Sequence, residues 1–190
     1  MKRIVLGIAL VAGFLGSPPP VGAQLPKSKA ARPLQAGSGE VRVPNACPFE
    51  GCRFGPWRAR QTVRLFQAIN GAPTGTLRAG TRIIALGGEV RAVPRRAMVI
   101  KVWDSDRAAG LRVGSIVDVL HPGGEGTIVV RHGGRIIQGS LDLNLRYERP
   151  LSVAPLRWTW WVRVQLDGRK TAWVRNPQRE FSGMDEFGGD

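Results

Sequence analysis

Two glutamates stand at matching places behind glycine pairs, in Gly87-Gly88-Glu89 and Gly123-Gly124-Glu125. A carboxylate pair converging across two units would do general acid–base work, one group protonated and the other ionised, as hydrolysis requires. No spacing here enforces that convergence, and each glutamate more simply closes a glycine turn by accepting from backbone N–H groups. The two histidines, His121 beside Pro122 and His132 before Gly133-Gly134, fall in expected turns. Neither has the i, i+4 partner with which a helix holds a metal. No Gly-x-Ser-x-Gly, His-Glu-x-x-His or phosphate-cradling glycine loop stands in a strand-to-helix setting. The residues therefore predict no catalytic centre, no metal and no cofactor.

The aromatic and arginine content points to binding instead. The chain has six tryptophans and one tyrosine. Several stand beside arginine, as in Trp57-Arg58, Arg157-Trp158 and Trp161 with Arg163. Tryptophan anchors with cationic rims are how a surface grips a partner. Core packing claims some of them: Trp103 and Trp173 are assigned to the interior, and Trp161 is the best candidate for exposure. The expected binding residues are Trp57, Trp161 and Arg163.

Those residues need strands to hold them. The run from Trp160 to Val174 places two segments rich in β-branched and aromatic residues around Asp167-Gly168, a strong hairpin signal because both central positions of a type I′ turn require positive φ. With the turn on that dipeptide, Val162 faces Trp173 and Val164 faces Thr171, so Trp173 joins the buried face and Trp161 looks outward. Asn70-Gly71 and Gly133-Gly134 mark two further hairpins, and Ala97 to Trp103 reads as a central strand. No stretch keeps a helical period, so the class is all-β and antiparallel.

Leu77-Arg78-Ala79-Gly80-Thr81 is echoed by Leu111-Arg112-Val113-Gly114-Ser115, an offset of roughly 34 residues, and each copy feeds a strand expected to stop at its glycine pair. The alternative is a coincidence of common turn chemistry. Residues 141–155 read as a connecting loop.

The first residues carry Met1-Lys2-Arg3, an apolar run over 4–15 and small residues up to Ala23, the pattern of a secretory signal peptide cut after Ala23. An uncleaved anchor is the alternative; no later run is apolar enough to span a membrane stably. Residues 24–43, rich in Pro, Ala, Gly, Ser and Lys, read as a flexible leader. In an oxidising compartment Cys47 and Cys52, the two cysteines of the 190-residue chain, can close a small disulfide loop; a redox pair is the weaker alternative. The net charge of +14 favours anionic neighbours such as wall polymers, lipid phosphates or acidic proteins, and export argues against nucleic acid. A solvated arginine-rich surface without a partner is the other reading of that charge.

The tryptophan, apolar strand, Asp-Gly-Arg turn and Ala172-Trp173-Val174 of the last hairpin resemble the closing hairpin of bacterial SH3-like (SH3b) domains. The block from Val63 to Leu86, with Leu65, Gly75-Thr76-Leu77 and Gly80, is similar to their opening half. Ala172 stands where the family favours glycine, and a long insertion, 91–157, separates the halves. The resemblance implies small SH3-like barrels, either one elaborated barrel or two related units, here drawn as 44–104 and 105–176 with a loose tail at 177–190. It implies a periplasmic or secreted, non-catalytic module that binds cell-wall peptide or an envelope protein. The alternatives are a wall hydrolase using Glu89 and Glu125, or a structural component of an envelope complex.

Overall fold

The computed structural model describes residues 39–140 and 143–185. The expected signal peptide lies outside the described residues. In chain order the strands are β1 (Val41–Pro44), β2 (Gly55–Ala59), β3 (Val63–Phe66), β4 (Pro73–Leu77), β5 (Arg82–Val93), β6 (Arg95–Lys101), β7 (Ile116–Pro122), β8 (Ile128–His132), β9 (Arg135–Gln138), β10 (Asn144–Tyr147), β11 (Arg157–Gln165), β12 (Thr171–Arg175) and β13 (Phe181–Ser182). Among the described residues one short α-helix, α1 (Asp104–Ala108), and three 3-10 turns interrupt them. The all-β, antiparallel class is as expected, built as one curled sheet and a second, smaller one.

The curled sheet runs β13-β2-β5-β11-β12-β3-β4, with β1 also paired to β5. β5 holds it together: β2 covers one edge along Arg82 to Ala85, β1 covers the same edge along Glu89 to Ala92, and β11 covers the other. The ladder with β11 skips Leu86, pairing Arg163 with Gly87 and Val164 with Ala85. That extra residue changes the phase of burial, so Ile83 and Ala85 point into the core before the bulge, and Gly88, Val90 and Ala92 after it. A bulge of this kind bends a strand, and the sheet curls here.

The glycine pair expected to stop this strand lies in its middle. A Cβ on Gly88 would come within 2.4 Å of both the Ala46 carbonyl oxygen and Trp160 Nε1. The position serves close approach, not a turn.

The second sheet, β10-β6-β7-β8-β9, is built wholly from the segment between β5 and β11. Sequential units 44–104 and 105–176 therefore do not correspond to the two sheets: β6 precedes that border yet belongs to the second sheet, and β11 and β12 follow it yet belong to the first. The cause is the long-range pairing of β11 with β5. The insertion placed between 91 and 157 coincides with the second sheet.

Three other boundaries move. Val41–Pro44 is β1, so the leader stops short of Val43. The loop at 141–155 contains β10, which pairs with β6. The tail at 177–190 contains β13, which pairs with β2, and Met184, which is buried. The hairpins about Asn70 and Gly133-Gly134 stand where expected, with positive φ at all three residues. Both Leu-Arg-x-Gly segments form the same turn, with Thr81 N–H donating to Arg78 O at 3.2 Å and Ser115 N–H to Arg112 O at 2.9 Å. Gly80 and Gly114 take φ of +82° and +88°. Beyond the strands they feed the likeness ends, since Gly124–Gly126 is a tight 3-10 turn while Gly87-Gly88 is strand.

One core gathers Trp57, Val90, Trp160, Val162 and Val164 with Leu120 and Val129 from the second sheet. The other gathers Val99, Leu111, Val117, Val119 and Val130. Adjacent Val119 and Leu120 enter different cores because successive residues of a strand point to opposite faces, and β7 is covered on both.

Candidate functional site

Of the three expected binding residues, only Arg163 is exposed. Trp161 keeps the expected outer face, shared with Arg163, but is 1% exposed because Phe66 covers it, and the last hairpin turns one residue later than Asp167-Gly168. Positive φ falls at Gly168 (70°) and Arg169 (67°), and Leu166 N–H donates to Lys170 O at 2.8 Å. Val162 then faces Val174, Val164 faces Ala172, and Trp173 faces Arg163 on the opposite side of the sheet from the core. A one-residue slip exchanges the faces of a strand. Trp173 is accordingly half-buried outside the main core, and Trp161 is covered edge-on by Phe66 at 5.2 Å. Trp103, assigned to the interior, is instead 50% exposed with Lys101 Nζ 5.6 Å from its ring centre.

Trp57 is also buried, packed among Phe54, Trp160 and Phe181, with Nε1 donating to Arg53 O at 3.1 Å. It nevertheless forms part of the wall of a cleft of about 560 Å³ shared with Pro56, Arg58, Arg60, Arg82, Ser182 and Gly183. Arg163 lies elsewhere, beside a cavity of about 200 Å³ with Arg42, Glu89 and Trp173. The expected trio is not one site.

The larger cleft is built from alternation. Along β2, Trp57 and Ala59 turn inward, which leaves Arg58 outward with Arg60 following it. Arg58 pairs directly with Arg82 on β5 and with Ser182 on β13. The backbone at Arg60 is anchored by its main-chain N–H donating to Glu180 O at 2.8 Å. Gly183, at φ +79°, closes the end where a Cβ would meet Pro56 O at 2.7 Å. Like charges directly opposite on a ladder are destabilising by roughly 0.2–1 kcal/mol. No carboxylate is among the described residues that line the cleft. Exposed guanidinium groups carried side by side on one face of the sheet offer forked donors to an oxyanion, carboxylate or phosphate. Alternation along Gly55–Ala59 could have shown Arg58, but Arg82 and Ser182 come to it only through long-range pairing.

The glutamates have separate surroundings. Glu89 is buried between Arg42 of β1 and Arg91 of its own strand, both within ion-pair distance. Glu125 is exposed in the 3-10 turn at φ 54°. Such a clasped carboxylate is a structural ion pair; its desolvation is offset only while both arginines stay in place. Among the described residues no group of three or more His, Cys, Asp or Glu is placed to hold a metal.

A second buried acid is likewise structural. Asp106 accepts from Ser140 Oγ at 2.6 Å, Ser140 N–H at 2.8 Å and Trp103 N–H at 2.9 Å, pinning α1 to the end of β9. Burial alone would raise its carboxyl, but the Ser140 hydroxyl, with the Trp103 and Ser140 N–H groups, holds it below the ordinary 3.8. A depressed folded value means the stabilisation is complete above the unfolded value and is lost as pH falls through the folded one. Asp106→Asn is expected to cost about 2 kcal/mol at neutral pH. The gap in urea midpoint between variant and wild type should hold from pH 7 to about pH 4 and narrow as pH falls further toward about 2; a gap that does not change with pH would contradict this assignment.

Cys47 and Cys52 form a disulfide with Cα atoms 5.6 Å apart. The loop lays Phe49 edge-on against Trp160 at 5.5 Å. A structural disulfide fits an oxidising compartment. No helix among the described residues is long and apolar enough to cross a membrane. No protein-family model, no curated protein and no solved structure matches the chain.

Proposed function

We propose that this chain is a non-catalytic, periplasmic or secreted binding module that engages anionic cell-wall peptide through the arginine cleft. The observation that carries the reading is the direct opposition of Arg58 and Arg82, with Arg60 beside them, around a cleft whose described lining has no carboxylate. A fold tolerates such repulsion where an anion relieves it. The net charge of +14 draws an anionic polymer to the surface, and the cleft gives its carboxylates a fixed place to dock. The resemblance of the last hairpin to bacterial SH3-like domains supports the same reading. The site differs from the one expected around Trp161.

Co-sedimentation of the mature, oxidised protein with purified peptidoglycan tests it. Wild type is expected to be retained at physiological salt and, more weakly, above about 0.3 M, where unspecific attraction is largely screened. Arg58→Gln with Arg82→Gln should lower retention at least tenfold, the size expected when charge-assisted hydrogen bonds of about 1.5–3 kcal/mol are lost. The double variant should unfold no earlier than wild type, because the opposed charges are gone. Equal retention of the two proteins would sink the cleft as the site. Capture of one acidic envelope protein with no wall retention would transfer the cleft to a protein partner.

A further inference from the structure

The chain from Glu180 to Ser182 borders two pockets. Ser182 lines the arginine cleft, whereas Glu180 lines a separate pocket of about 310 Å³ with Thr62, Arg64, Phe66, Thr76 and Arg175. The two share no lining residue. Val63 and Leu65 of β3 turn inward, which leaves Arg64 outward and opposite Thr76 on β4. Arg175 ends β12 with its guanidinium carbon 5.8 Å from the ring centre of Phe66, which is itself packed against Trp161. An aromatic face attracts and so places a guanidinium laid over it. Glu180 follows the 3-10 turn Pro177–Arg179, and its main chain is tied twice: its N–H donates to Pro177 O and its carbonyl accepts from Arg60 N–H, each at 2.8 Å.

These charges do not satisfy one another. Glu180 is half-buried, and among the described residues no ion pair joins it to Arg64 or Arg175. Burial raises its carboxyl above the ordinary 4.5, and the Arg175 guanidinium draws it only part of the way back. A carboxylate and two guanidiniums that line one pocket without closing on each other leave a space bordered by both signs of charge. An anion alone would be attracted by the arginines and repelled by Glu180; a cation alone would meet the reverse. A ligand that carries both charges satisfies both, its ammonium donating to a carboxylate and its carboxylate accepting from a guanidinium fork. The volume stands at the lower end of the usual range for ligand pockets, about 300–1,000 Å³, which suits one amino acid. We propose that this pocket binds a small zwitterion, an α-amino acid whose ammonium pairs with Glu180 and whose carboxylate pairs with Arg64 and Arg175.

The test uses the mature, oxidised protein labelled with 15N, titrated separately with alanine, acetate and methylamine at neutral pH and constant ionic strength. The amide resonances of Arg64, Arg175 and Glu180 are expected to shift saturably with alanine, at an affinity at least tenfold above that for acetate or methylamine. Glu180→Gln keeps both main-chain bonds of residue 180, so its spectrum should stay well dispersed. It should weaken alanine binding at least tenfold, the scale of one charge-assisted hydrogen bond, and should no longer disfavour acetate. No saturable shift at these residues, equal affinity of wild type for alanine and acetate, or undiminished alanine binding by Glu180→Gln would overturn the proposal. The wild-type comparison of alanine with acetate decides the matter even if the variant folds poorly. Wall retention through the arginine cleft can succeed or fail without bearing on this result.

Discussion

Alanine at position 88 is expected to lower the stability of the protein by about 3 kcal/mol, from overpacking of roughly 1–3 kcal/mol together with a lost buried hydrogen bond. The new methyl group would meet Ala46 O and Trp160 Nε1 at 2.4 Å and Phe54 Cζ at 3.0 Å. None of these can easily yield. Ala46 O accepts from Trp160 Nε1 at 2.8 Å, Ala46 N–H donates to Gly88 O at 3.1 Å, and Trp160 is fully buried against Phe49, Phe54 and Trp57. The half kilocalorie or so that alanine gains over glycine in backbone entropy does not offset this. Gly87 provides the control, since a Cβ there meets nothing within 4 Å. Urea denaturation should show a much lower midpoint for Gly88→Ala and an almost unchanged one for Gly87→Ala; equal midpoints would remove close packing as the reason for the glycine.

The same dipeptide shows why sequence reached some of this fold and not the rest. The chain turns at Asn70-Gly71 and Gly133-Gly134 as expected because their conformation is local: the positive φ at Asn70, Gly133 and Gly134 is satisfied within the residues themselves. Gly87-Gly88 has the same composition, but its reason lies 42 residues upstream at Ala46 and 72 downstream at Trp160, in contacts that no window of sequence contains. The Cys47–Cys52 bridge and the Ala97 strand were legible for the same local reason. The arginine cleft was not. Its end wall is β13, which sequence assigned to a loose tail, and the meeting of Arg58 with Arg82 depends on the register of β2 with β5.

The last hairpin shows how small a local error can be and how far it carries. Sequence identified both strands and the turn region, but positive φ sits on Gly168-Arg169 instead of Asp167-Gly168. Arginine at positive φ is a poor prior, so the dipeptide rule chose the wrong centre. One residue of slip then moved Trp173 to the outer face, where Arg175 also lies opposite Trp161.

Trp161→Ala is accordingly expected to cost about 3–5 kcal/mol of stability, the range for emptying a buried aromatic site. An exposed anchor would instead have left stability nearly unchanged and lowered binding alone. Arg163→Ala, its exposed neighbour two positions on, should fall within roughly 0.5 kcal/mol of wild type. Phenylalanine separates the two adjacent tryptophans further. Trp160 Nε1 donates to Ala46 O, whereas Trp161 Nε1 is buried without a partner. Trp160→Phe therefore leaves a buried carbonyl unpaired, at about 1–3 kcal/mol, while Trp161→Phe removes a donor that had nothing to lose. Chemical denaturation of the four variants should rank Trp161→Ala far below Arg163→Ala, and Trp160→Phe below Trp161→Phe. A Trp161→Ala protein as stable as wild type would return that side chain to the surface and reopen the hairpin's outer face as a binding site.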